Sequence, residues 1–107
     1  MEESFISCTA RLWRWSAEGK GSWHFATIEG DAGHELSAIE AMRRLELGHR
    51  RGFGSIKLNV RVGKTRWQTS AFPKKGREAW DLPIKAAVLR AEGLAEGDSV
   101  TLSLEPV

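Results

Sequence analysis

Ser70 and Lys85 could form a nucleophile and its base if the fold brought them together, since a neutral amine can take a serine proton. Ser, Lys and an arginine in a small β-protein more commonly orient a ligand by hydrogen bonding, and the chain is expected to be a binder rather than an enzyme. The histidines His24, His34 and His49 are isolated, with no Cys or carboxylate spacing that completes a metal-ligand set. The only cysteine, Cys8, excludes an intrachain disulfide and reads as a small buried hydrophobe. No cofactor is expected.

The stretch Arg51-Gly52-Phe53-Gly54-Ser55 pairs glycines with arginine. Backbone N–H groups beside a guanidinium can hold a carboxylate or phosphate. It lacks the GK[ST] ending of a phosphate loop, and a bend at a barrel corner is its plainer reading. Beyond it the charge is uneven. Residues 48–77 hold nine Lys or Arg and no acid, although the net charge is only +2. That block is either a solvated strand face or an anion-binding one. Arg50, Arg51, Lys57, Arg61, Lys64 and Arg66 are the residues that would meet nucleic acid, making binding salt-sensitive through counterion release. No recognition helix is evident. Five Trp and no Tyr concentrate aromatic surface in few positions. Trp13 shares a strand face with Arg11 and Trp15. Trp67 shares one with Thr65, Thr69 and Ala71, opposite Ser70.

These residues need elements to position them. Phe5 to Trp15 alternates and predicts a strand; AEGKGS at 17–22 predicts a turn; Trp23 to Ile28 predicts the returning strand. Residues 34–47 predict a helix with Ala38, Ile39, Met42 and Leu45 as its apolar stripe and Gly48 as its stop. Ser55 to Val62 alternates with Ile56, Leu58, Val60 and Val62 inward. Gly63-Lys64 predicts a tight hairpin, and Thr65 to Phe72 the strand that follows. AWDLP at 79–83 predicts a short extended piece. Pro83 suits the first position of a helix carrying Ile84, Ala87, Val88 and Ala91, which Gly93 and Leu94 would close. Val100, Leu102 and Leu104 predict a last strand. The order strand, turn, Trp-containing strand, helix, strand repeats weakly, as a duplicated unit closing into one barrel would. The expectation is one domain over 1–107: mostly β, six strands and two short helices, each plugging one side. The acidic N-terminus carries no signal-like apolar run, and no stretch approaches a membrane span, so a cytoplasmic setting is expected.

Six stretches carry a resemblance: Arg51 to Ser55; Trp67-Gln68-Thr69-Ser70-Ala71-Phe72-Pro73; Leu82-Pro83-Ile84-Lys85-Ala86-Ala87-Val88; Ala91-Glu92-Gly93-Leu94-Ala95-Glu96-Gly97-Asp98; and, near the start, Ala10-Arg11-Leu12-Trp13 and Gly21 to Phe25. Together they resemble DUF1905, a bacterial family of unknown function, over nearly the whole chain. The resemblance implies a double-split β-barrel, distantly similar to AbrB-like regulators whose basic surfaces dock on DNA, with the duplication making a pseudo-dimer. It implies no activity. It also suggests a partner of YdeI type, named for bacteriocin protection. The chain departs from the pattern at Ile28-Glu29-Gly30-Asp31 and at Val88-Leu89-Arg90.

The expected function is therefore a non-catalytic binding module. The candidate site combines Arg51, Ser55, Trp67, Ser70 and Lys85, with Trp23 and His24 nearby, and Arg51 and Lys85 would hold an anionic group. Trp67 and Trp23 would supply apolar walls, and Ser70 would orient the ligand. The alternative is nucleic-acid binding by the basic 48–77 hairpin, and a third reading is a protein-interaction domain.

Overall fold

A computed structural model describes residues 5–47 and 54–107. In chain order the elements are β1 (Ile6–Ala17), β2 (Gly21–Ile28), α1 (Gly30–Leu47), β3 (Ile56–Val62), β4 (Thr65–Pro73), β5 (Trp80–Ile84), α2 (Ala86–Glu92) and β6 (Ser99–Pro106). The six strands close an antiparallel barrel in the order β1-β2-β5-β4-β3-β6. The protein is thus mostly β with two helices. Alternation on β3 and β6 turns one side of each strand inward, so Leu58, Val60, Leu102 and Leu104 join Leu12, Ala26, Ile28 and Leu82 in one core.

Two strands change partner along their length. β1 pairs β6 from Ile6 to Arg11, then β2 from Leu12 to Ala17. β4 pairs β3 from Thr65 to Ala71, then β5 only at Phe72 and Pro73. At the first exchange the backbone of Leu12 donates to Asp98 O at 2.8 Å and accepts from Gly97 at 2.9 Å, so the turn before β6 occupies the gap. α1 packs against β1 and α2 against β4, the two strands that exchange.

The helices differ from expectation. α1 starts at Gly30, whose φ of 67° suits glycine, and Asp31 in its first turn complements the helix dipole. It buries Ala32 and Leu36, while Met42 and Leu45 of the expected stripe are 63% and 82% exposed. Eighteen residues span about 27 Å; Ile39 of the expected stripe packs against the core, and the apolar side chains beyond it, Met42 and Leu45, do not. Trp80 Nε1 donates to Ser37 Oγ at 3.1 Å and ties those turns to β5.

Pro83 does not begin α2. It lies in β5 opposite Phe25, and Lys85 is the N-cap, with extended φ −72° and ψ 157°. Proline cannot donate to a ladder, and β5 has run past its pairing with β4 by this point, leaving an open edge where no donor is needed. The expected close of α2 is present: Gly93 adopts φ 63° and Leu94 N–H donates to Leu89 O at 2.9 Å.

Candidate functional site

Where β4 and β5 stop pairing, a cleft of about 500 Å³ opens, roofed by α2. Three separated stretches reach it: Ser22 to His24 from β2, Trp67 to Thr69 from β4, and Pro83 to Ala86 with Leu89 from β5 and α2. Of the residues expected to form a site, Trp23, His24, Trp67 and Lys85 are brought together here. Trp67 packs against the core through its inward position opposite Val60. His24 is half-buried in register with Arg14 and Ile84. Lys85 is exposed and forms no ion pair among the described residues. Trp23 meets the rim from outside, its ring 5.2 Å from that of Trp15.

The others lie elsewhere. Ser70 is three positions from Trp67 on one strand, so the period of two sends it to the outer surface opposite Lys57. Ser70 therefore does not line the cleft that Lys85 borders. Ser55 precedes β3 and does not line the cleft. Arg51 falls outside the described residues. Thr69, two residues on from Trp67 and therefore on its face, is the addition that strand parity makes legible; Leu89 belongs to the cleft only because α2 folds over it.

The basic residues of the alternative site spread over the outer face of β3 and β4. Arg61 stands directly opposite Arg66, and the row continues through Ser103 of β6 to Ser7 of β1. Like charges opposed across strands destabilise a sheet, and neither arginine has an ion-pair partner among the described residues. They border a shallow concavity of about 640 Å³ with Phe5 and Glu105. Beside them Gln68 Nε2 donates to Asn59 Oδ1 at 3.1 Å, and Asn59 Nδ2 donates to Glu105 Oε1 at 3.3 Å. Lys57 lies on this face opposite Ser70, and Lys64 occupies the hairpin turn. Arg50 falls outside the described residues, as Arg51 does.

A third surface is aromatic. Trp13 and Phe25 pair across β1 and β2 and stack with centroids 4.9 Å apart and planes at 24°. Trp15 and Trp23 form the next row, 48% and 45% exposed. Trp13 Nε1 donates to Thr27 Oγ1 at 2.9 Å, which donates to Asp81 Oδ1 at 3.0 Å. Asp81 Oδ2 pairs with Lys74 Nζ at 3.1 Å, and that ammonium sits 5.4 Å from the Trp13 ring centroid. The parity of Trp13 and Trp15 is readable in the sequence; their pairing with Phe25 and Trp23 requires the register.

Burial raises the Cys8 thiol pKa, which disfavours the nucleophilic thiolate. His34 pairs with Glu78, and His49 lies outside the described residues. Among the described residues no group of three His, Cys, Asp or Glu side chains could hold a metal ion, and no helix is long and apolar enough to cross a membrane.

No curated protein matches the chain. A family model described as a domain of unknown function, DUF1905, matches residues 9–104. With nearly its whole length matched, the chain belongs to the DUF1905 family.

Proposed function

We propose that this protein is a non-catalytic binding module of the cytoplasm that takes a small anionic ligand in the cleft between β4 and β5. One observation carries the reading: side chains from three distant stretches, Trp23 with His24, Trp67, and Lys85, meet where the barrel wall parts. Lys85 is a cation without an ion-pair partner among the described residues, Trp67 and Leu89 are apolar walls, and Thr69 offers a hydroxyl, the mixture a small-molecule site uses. Ser70 is not among the residues lining the cleft, which favours binding over catalysis there. The two partner exchanges, on β1 and β4, support reading the barrel as double-split and internally duplicated, each half contributing one exchanging strand and one helix. A thermal-shift screen of small carboxylates and phosphates tests the site. A stabilising ligand should lose its effect in Lys85→Ala and Trp67→Ala. A screen in which no anion raises the melting temperature, or one whose hit ignores both replacements, defeats the reading.

A second reading, nucleic-acid binding on the outer face of β3 and β4, is favoured by the directly opposed Arg61 and Arg66, neither of which has an ion-pair partner among the described residues. An anion lying between them would relieve their repulsion.

A further inference from the structure

The arginine row of β4 and β3 reaches β1 through Ser103 and Ser7, and β1 carries on into the aromatic rows. Odd-numbered side chains of β1 alternate with the buried Ile6, Ala10 and Leu12, and from Arg14 to Ser16 both faces of the strand are exposed. Ser7 continues the row of Arg66, Arg61 and Ser103, while Trp13 and Trp15 begin the rows that continue into Phe25 and Trp23. Ser7 to Trp13 is roughly 20 Å at about 3.3 Å per residue. Arg11 stands between them, exposed and without an ion pair among the described residues. One strand thus links the row that holds the two opposed arginines to a pair of half-exposed indoles.

Resting on the nucleic-acid reading, we propose that the ligand of this outer surface is single-stranded nucleic acid, its bases stacking on Trp15 and Trp23 and its phosphates tracking back over Arg11 to Arg61 and Arg66. Two unrelated features call for this occupant. Exposed tryptophans on a barrel exterior offer flat π-faces on which unstacked bases can lie. The opposed arginines call for a polyanion. A duplex would satisfy the arginines and leave the indoles unused, because its bases are already stacked on one another. The platform beneath the indoles is held in place: the hydrogen bonds from Trp13 through Thr27 to Asp81, with the Lys74 ammonium beside the Trp13 ring, fix the row next to Trp15 and Trp23.

Fluorescence anisotropy with labelled oligothymidylate, and with the duplex it forms with oligoadenylate, tests the proposal over a salt series. The expected result is single-strand binding at least tenfold tighter than duplex binding. Trp15→Ala with Trp23→Ala should weaken single-strand binding about tenfold or more at unchanged salt slope. Trp15→Phe with Trp23→Phe keeps a stacking surface and should restore most of it. Arg61→Ala with Arg66→Ala should flatten the slope of log K against log salt by about 1.4, from about 0.7 for each phosphate contact. Equal or tighter duplex binding that still depends on the arginines overturns this proposal and leaves the nucleic-acid reading standing. Single-strand binding indifferent to the indole replacements overturns it in the same way. No binding of either probe at low salt removes both.

Discussion

Glu92, the last residue of α2, accepts a hydrogen bond from Thr65 Oγ1 at 2.5 Å and another from the Lys64 backbone N–H at 3.3 Å. One carboxylate therefore pins the helix that roofs the cleft to the turn joining β3 and β4. Gly63 in that turn has a φ of 57°, and a Cβ there would run into the same carboxylate. Glu92→Ala is expected to cost about 1–2 kcal/mol by removing a charged acceptor from two donors. Gly63→Ala is expected to cost at least a similar amount, about 1–2 kcal/mol from its left-handed backbone, with the displaced Glu92 carboxylate adding to it. Chemical denaturation of both variants and of the double variant checks this. The double variant should lose less than the two single losses added together, because each disturbs the same contact.

Gly33 needs glycine for a different reason. A Cβ there would lie 2.5 Å from the Glu78 carbonyl oxygen and 3.1 Å from that of Ile28. Backbone cannot give way as a flexible side chain does, so α1 would have to lift off the barrel. Gly33→Ala is expected to destabilise by about 1–3 kcal/mol, read as a lowered melting temperature.

The Asp81 carboxylate holds Thr27 with one oxygen and Lys74 with the other. Asp81→Asn keeps the shape and removes the charge. Its expected cost is about 1 kcal/mol, discounted because both partners retain solvent contact. Raising the ionic strength should narrow the gap between Asp81→Asn and the parent protein in parallel melts.

Burial raises the Cys8 pKa, so the folded protein holds the thiol proton more tightly than the unfolded chain does. The stability from this difference is complete below the unfolded thiol pKa and is lost as pH rises through the folded one. Urea midpoints across an alkaline series should therefore fall more steeply for the parent than for Cys8→Ala. At neutral pH, labelling of Cys8 by a thiol reagent should be slow and should accelerate on unfolding.

Two leucines separate barrel from helix tip. Leu58 is fully buried on β3, and Leu45 is 82% exposed on α1. Leu58→Ala is expected to cost about 2–5 kcal/mol, and Leu45→Ala to stay within about 0.5 kcal/mol of the parent. A helical wheel ranks Leu45 as a core position, so the comparison tests packing against periodicity.

Local chemistry makes much of the fold legible. The alternation of Ile56, Leu58, Val60 and Val62, the Gly63-Lys64 turn and the closing Gly93-Leu94 pair each depend on neighbours in the chain, and each is present. Elements whose limits depend on distant partners are not legible in this way. Pro83 reads as a helix start because nothing nearby in the chain shows that β5 has an open edge at that point. Met42 and Leu45 read as core because their spacing does not say how far the barrel extends beneath the helix.

The same division holds for the candidate site. The residue types of the cleft, Trp23, His24, Trp67 and Lys85, stand out in the sequence, and so does the opposite facing of Trp67 and Ser70, since strand parity is a local property. Their meeting was decided by the tertiary structure. β4 touches β5 only at Phe72 and Pro73, and the absence of pairing between them beside Trp67 to Thr69 opens the cleft. The pairing of Arg61 with Arg66 follows from a tight turn and can be counted along the chain. The alignment of Trp15 with Trp23, and the linking of the arginine row to both along β1, came from which strands lie side by side. A sequence records which face a side chain takes; which strand lies beside it is settled by the closing of the barrel and the burial of a common core.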